Sequence, residues 1–185
     1  MVNESGALRV VAGWPVTGQN ILLAEKAEGN DRGFLMAFGG KINDGETAVE
    51  AMIRELREES GYSEVCGTGI VAEPVDLEFV GIIHQYSFLN REQFEKGRPY
   101  SKVEITLFFI HTTGTPVDTE EMRNGRWYLQ IPKKLPFCRM TEWDRVILPV
   151  ILCGHTIVAR VMRQLEPRKL LGCEIVSQVK RFTWR

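Results

Sequence analysis

No run of about 18 apolar residues occurs anywhere in the chain, so no membrane-spanning helix is expected. A basic surplus is missing too: 23 Lys and Arg stand against 24 Asp and Glu. That excludes the electrostatic footprint of a general nucleic-acid binder, and no stable nucleic-acid complex is expected. The four cysteines, Cys66, Cys138, Cys153 and Cys173, form no C-x-x-C pair and have no histidine at zinc-finger spacing. They are expected as scattered buried thiols in a reducing compartment. The first residues lack a basic segment leading into an apolar one, so no secretory signal is read there. The expectation is a soluble, cytoplasmic protein, with nucleus or mitochondrion as further compartments. Repeats and low-complexity linkers are also absent.

What remains is enough for a packed domain. Apolar residues make up 44% of the 185 positions, which supports one sizeable core without staples, and the whole of 1–185 is expected as a single domain. Residues 7–12 and 20–24 read as strands, separated by a turn with Pro15 and Gly18 as breakers. A helix is expected from about Thr47 to Ser60, with Ala48, Met52, Ile53 and Leu56 as its apolar stripe and Gly61 as its stop. Strands follow at 76–89, 103–112 and 126–131. Residues 142–153 suggest a helix kinked by Pro149, and two last strands fall near 156–163 and 171–182. The polar stretch 90–102, with Arg91, Lys96, Arg98 and Lys102, reads as a loop or insertion. His84, His111 and His155 are expected in the core or at edges, and Phe79, Tyr86, Phe88, Phe108 and Phe109 in the core. The simplest account is an α/β domain with a mixed sheet sandwiched between helices.

Chemistry concentrates in Arg54-Glu55-Leu56-Arg57-Glu58-Glu59-Ser60-Gly61-Tyr62. On a helix, Glu55 and Glu59 lie one turn apart, at about 6 Å, with Glu58 bordering the same face. Like charges so close repel, and a hard divalent cation would relieve them, since Mg2+ takes carboxylate oxygens at about 2.1 Å and keeps several waters. Taken alone, the segment reads more readily as a solvated face on which Arg54 and Arg57 pair with Glu58 and Glu59.

The context decides between these readings. Gly40, Glu46, Arg54-Glu55, Glu58-Glu59 and Gly61 stand in the spacing G-x5-E-x7-R-E-U-x-E-E-x-G-U (U, aliphatic), so residues 40–62 resemble the complete Nudix hydrolase motif. Tyr62, at the final aliphatic place, is the one departure. The resemblance implies Mg2+ as cofactor, with Mn2+ as a substitute, held by Glu55, Glu59, Glu58 and the Gly40 carbonyl. Glu58 would also take the proton of the attacking water, Arg54 would orient a carboxylate, and Glu46 would pair within the motif.

Three outer segments, FGGKINDGET, GTPVDTEEMR and PFCRM-TEWD, extend the likeness to the MutT-homologue branch of that family, which hydrolyses oxidised purine nucleoside triphosphates to monophosphate and pyrophosphate. By that likeness Lys26 and Lys41 would approach the phosphates, Glu121 would stand near the metal, and Asp144 would bond the purine. Met36 replaces the branch's base-reading asparagine, Thr141 its stacking tryptophan, and Trp143 the first of its two aspartates; Trp143 would stack on a base instead. The implied partner is a small nucleotide, and the protein would be a monomer or weak dimer. Other diphosphate-linked substrates remain open: a dinucleoside polyphosphate, ADP-ribose, a nucleotide sugar or an RNA cap. A binding module that has lost catalysis would be expected to lack some of these acids.

Overall fold

The computed structural model describes residues 7–29, 31–97, 99–165 and 169–180. In chain order the elements are β1 (Leu8–Thr17), β2 (Asn20–Lys26), β3 (Leu35–Met36), α1 (Ala48–Glu59), β4 (Gly69–Ile70), β5 (Leu77–Phe88), α2 (Arg91–Glu95), β6 (Ser101–His111), β7 (Gly114–Thr115), β8 (Met122–Leu129), α3 (Asp144–Leu152), β9 (His155–Gln164) and β10 (Lys169–Lys180). An 8-stranded sheet runs in the order β10-β9-β5-β6-β1-β2-β3, with β8 also pairing β2, and β4 and β7 pair separately. The pairs β1/β6 and β5/β9 are parallel and the rest antiparallel, so the sheet is mixed as expected.

The pleat sends alternate side chains to opposite faces. On one face Val11, Leu22, Ala24 and Phe108 pack with Ala51, Met52 and Leu56 of α1. On the other, Trp14, Ile21, Leu23, Leu107 and Val161 pack with Ile147, Leu148 and Ile151 of α3. Helices thus cover both faces, which satisfies the apolar alternation of the central strands.

β1 does not stop at residue 12; it continues through Pro15, paired with Ile110. The N–H groups of Val11 and Gly13 donate away from β6, to Gly40 and Phe38. Pro15 lies on that same edge by alternation, so its missing N–H removes nothing from the β6 ladder. The buried stripe of α1 uses Ala51 with Met52 and Leu56, whereas Ile53 is only half-buried. α3 begins at Asp144, two residues later than the pattern suggests, because Thr141 and Asp144 bond each other in a turn before it. Within 90–102, the connection between β5 and β6 carries α2, capped by the Asn90 side chain. Arg98, and residues 181–182 of the last expected strand, lie outside the described residues.

Two other expectations need correction. Cys66, Cys138 and Cys153 are exposed and Cys173 is half-buried, because they fall in turns and on an edge strand rather than in the core. Phe79 is exposed beside the bulge at Phe79/Gly81, and Tyr86 is half-buried, while Phe88, Phe108 and Phe109 are buried. His84 and His111 sit on strand surfaces facing Glu104 and Glu78, at 3.8 and 2.8 Å, and His155 is half-buried at the start of β9.

Candidate active site

α1 is fixed at both ends. Thr47 accepts from the Glu50 N–H and Glu50 accepts from the Thr47 N–H, a reciprocal cap worth about 1 kcal/mol. At the other end Gly61 adopts φ 67°, and the Tyr62 N–H reaches the Arg57 carbonyl. This left-handed stop ends the helix directly after Glu59. Arg57 lies over the Tyr62 ring at 5.7 Å, so it is engaged apart from the acidic face.

The acids on that face divide between two cations. Arg54 donates to Glu46 at 2.9 and 3.0 Å, to Glu55 at 2.8 Å, to Glu58 at 3.2 Å and to the Lys41 carbonyl at 2.9 Å. Charge-assisted bonds of this kind hold the Glu46 carboxyl below its usual range and the guanidinium above its own. Lys26, at the end of β2, donates to Glu59 at 2.8 Å and to Glu121 at 2.7 Å. Burial works against the ammonium, but its bonds to Glu121 and Glu59 prevail and raise it. Glu59 is only 3% exposed and also accepts from the Gly39 N–H at 2.7 Å. Burial pushes the carboxyls of both Glu59 and Glu55 up, opposed by Lys26 and Arg54 respectively.

The glycine pair sets how close the loop comes. Gly39 has φ 148°, and a Cβ there would stand 2.1 Å from the Val11 carbonyl oxygen. A Cβ on Gly40 would stand 2.4 Å from Glu55 Oε1. The first clash is with backbone and the second with a flexible carboxylate. Gly40→Ala is therefore expected to fold normally while displacing Glu55 and losing turnover, and Gly39→Ala to lose stability. Melting curves and rates on the two purified variants check this contrast.

These residues fit a divalent cation. The donors are hard oxygens on one helix face, and Gly40 puts no side chain between the loop and Glu55, while its carbonyl accepts from the Val11 N–H. Among the described residues no three carboxylates converge on one point, because Arg54 and Lys26 draw them apart and supply the balancing charge.

A cavity of about 200 Å3 adjoins this cluster at Gly39, and Phe38, Met36, Trp143 and Asp144 are among the residues that line it. Ile105, Val10 and Ala12 form its sheet side, and Gln85, Asp31 and Arg163 complete it. Lys26, Gly40, Glu46, Arg54, Glu55, Glu58, Glu59, Glu121 and the Lys41 carbonyl thus meet in the acidic cluster, and Met36, Trp143 and Asp144 line the cavity that adjoins it. The lining residues Gln85, Asp31 and Arg163 give no sequence signal of their own.

Asp144 is fully buried, and burial pushes its carboxyl up to about 7, although the Thr141 hydroxyl and N–H both donate to Oδ2. Its ordinary value is 3.8, so the folded state holds the proton where the unfolded chain has released it. The stability this confers is complete below about pH 4 and lost as pH rises through about 7. Relative to Asp144→Asn, the wild type is expected to lose stability over that interval, measurable as urea midpoints at a series of pH values.

A large mixed sheet between two helices, with an acid-rich helix behind a glycine turn, defines an α/β protein whose polar chemistry is concentrated on one helix face. A family model described as the NUDIX domain matches residues 7–130, and the chain belongs to the Nudix hydrolase family. It is 30% identical over 161 residues to the oxidized purine nucleoside triphosphate hydrolase of Mus musculus, covering 80% of this chain and 89% of that protein. The protein of the same description from Danio rerio is 30% identical over 134 residues, covering 71% of each. Among solved structures, the MutT protein of Bacillus halodurans superposes with a TM-score of 0.69 at 22% identity, over 91% of this chain and 97% of that one. The MutT NUDIX hydrolase of Burkholderia pseudomallei gives 0.57 at 18%, over 77% and 96%. These two likenesses show the fold.

Proposed function

We propose that this enzyme hydrolyses a nucleoside triphosphate carrying an oxidised purine, of the 8-oxo-dGTP kind, to monophosphate and pyrophosphate, and so cleanses the nucleotide pool. The observation that carries the reading is the continuity of the acidic face with a base-sized cavity. Gly39 lines the cavity and bonds Glu59, so a base within it leaves its phosphates against α1. The names of the mouse and zebrafish relatives support the substrate class.

Glu55, Glu59, Glu58, Glu121 and the Gly40 carbonyl would hold Mg2+, or Mn2+ in its place. The cation supplies neutralisation of phosphate charge and a more acidic water. Glu58, the most open carboxylate of α1's cluster, takes the proton of the attacking water. Arg54, braced by Glu46, orients Glu55 and Glu58. Lys26 and Lys41 approach the phosphates from either side of the glycine turn. Trp143 offers the base a flat face, in place of the stacking residue that Thr141 no longer supplies, and Asp144 offers its carboxyl where Met36 supplies no polar group.

One observation favours a second reading, a dinucleoside polyphosphate or another diphosphate-linked substrate. A further cavity of about 210 Å3, lined by Phe34, Trp143, Arg145 and Lys169, shares Thr141, Trp143 and Arg163 with the first. It offers cations and rings to a second moiety. No helix among the described residues is long and apolar enough to cross a membrane. We place the protein in the cytoplasm, as a single domain acting as a monomer or weak dimer.

The test is turnover with Mg2+, Mn2+ or neither, on normal and oxidised nucleoside triphosphates, ADP-ribose and dinucleoside polyphosphates, with products identified. Pyrophosphate and a monophosphate from an oxidised purine triphosphate are expected. Turnover of only the diphosphate-linked compounds moves the substrate to the second reading, and equal rates without divalent metal overturn the metal assignment.

A further inference from the structure

Arg163 is the cavity residue hardest to explain by folding alone. Its side chain is only 17% exposed, yet its guanidinium makes no hydrogen bond to the protein among the described residues. Its one ion-pair partner, Asp31, stands at 3.8 Å, beyond hydrogen-bond reach. A guanidinium carries several N–H donors and no acceptor, so the donors that the protein does not engage are left to water or to a ligand in the cavity. Burial accordingly draws its affinity for the proton down, against the nearby Glu142 carboxylate.

Gln85 lines the same cavity, and its side-chain amide likewise has no protein partner among the described residues. The parallel pairing of β5 with β9 sets Gln85 against Val161 and Ser87 against Arg163. Residues two apart share a face of the pleat, so Gln85 and Arg163 are diagonal neighbours on the α3 side. Asp144 faces that side too, from α3, with both its recorded hydrogen bonds on Oδ2. Three polar side chains with unspent hydrogen-bonding capacity thus line a space that is otherwise mostly apolar, Asp31 and Thr141 apart. This is how a site reads a flat polar ligand.

We propose that Arg163 and Gln85 determine base choice, with Arg163 donating to the carbonyl oxygen of a keto purine, so that guanine-type bases are taken over adenine-type ones. This rests on the reading of the cavity as a base site. Guanine presents O6 and N7 as acceptors on one edge, whereas adenine sets an amino donor beside N7. Arg163 can only donate, so an adenine amino group in that place faces another donor and leaves both unsatisfied. Gln85 carries a donor and an acceptor on one amide. It can therefore meet the N7–H and O8 pair of an 8-oxo purine as well as an acceptor edge. Asp31 acts as a positioning residue that holds the guanidinium toward the cavity without consuming its donors.

The decisive experiment is calorimetric binding of GMP, 8-oxo-dGMP and AMP in EDTA, to wild type, Arg163→Met, Gln85→Leu and Arg160→Met. Arg160 pairs with Glu174 and does not line the cavity, so it serves as the control. The wild type and the control are expected to prefer the guanine-type monophosphates over AMP by at least about tenfold. Arg163→Met should abolish that preference and Gln85→Leu should reduce it, most for 8-oxo-dGMP, with AMP binding nearly unchanged. If Arg163→Met does not fold, Arg163→Lys keeps the charge beside Asp31 and loses the fork, and the preference should still fall.

Equal weakening of GMP and AMP, or an unchanged preference, overturns the proposal. The hydrolase reading is judged apart from it, by the same proteins with Mg2+ and the matching triphosphates. Turnover that ignores residue 163 sinks base reading and leaves hydrolysis standing. An Arg163-dependent binding preference without turnover does the reverse.

Discussion

Glu58→Gln is expected to lower turnover about a thousand-fold, the scale of losing a positioned proton acceptor, while barely moving the melting temperature. The Glu58 side chain is 60% exposed, and its one recorded bond is to Arg54 at 3.2 Å, one turn back on the same helix. Pairs of that kind contribute only tenths of a kcal/mol, and glutamine keeps the length and an oxygen to accept from Arg54. Folding therefore has little to lose. Turnover has much to lose, because an amide can neither take a proton from water nor balance the charge of a cation. The measurement is a saturation curve with Mg2+ beside a thermal melt of the same preparation. A fall in kcat with little change in KM supports a role in the reaction step, and near-normal kcat removes Glu58 from it.

Much of the acidic face was legible because it is local. Glu46, Arg54, Glu55 and Glu58 lie within one helix and its entry loop, where spacing alone places side chains together, and the structure joins all four through Arg54. The fate of Glu59 was not legible in that way. Spacing puts it with Glu55, but its partner Lys26 lies 33 residues away on β2, and the Gly39 N–H takes its other oxygen. Only the likeness to known hydrolases pointed at Lys26 and Glu121. Pro15 misled for a related reason. A proline signals a break, but whether it breaks a strand depends on which neighbour its missing N–H would have served. Residue type alone points to buried cysteines, and their places in turns and on an edge strand override it. Arg163 and Gln85 carry no signal at all, because their convergence depends on parallel pairing between strands that are distant in sequence.

Lys26→Met is expected to destabilise the metal-free protein by about 3 kcal/mol, the scale of a buried ion pair left with one member. Lys26 is half-buried and bridges two carboxylates, one of which, Glu59, is almost wholly enclosed. Methionine keeps the aliphatic stem and its packing, so what is lost is the charge and its two short hydrogen bonds. Among the described residues Glu59 then retains the Gly39 N–H as its one donor. A loss of that size corresponds to roughly 8 °C in melting temperature for a domain of this length. The second half of the experiment adds divalent metal. If the acids of α1 and Glu121 hold the cation, saturating Mg2+ replaces the missing charge, and the variant gains more in melting temperature than the wild type does. Turnover should still fall, since an ammonium near the phosphates cannot be replaced by a thioether. A deficit that stays the same with and without metal would mean that Lys26 balances Glu59 as a structural pair, apart from the cation site. A deficit that is absent altogether would mean that the enclosed carboxylate finds its compensation elsewhere.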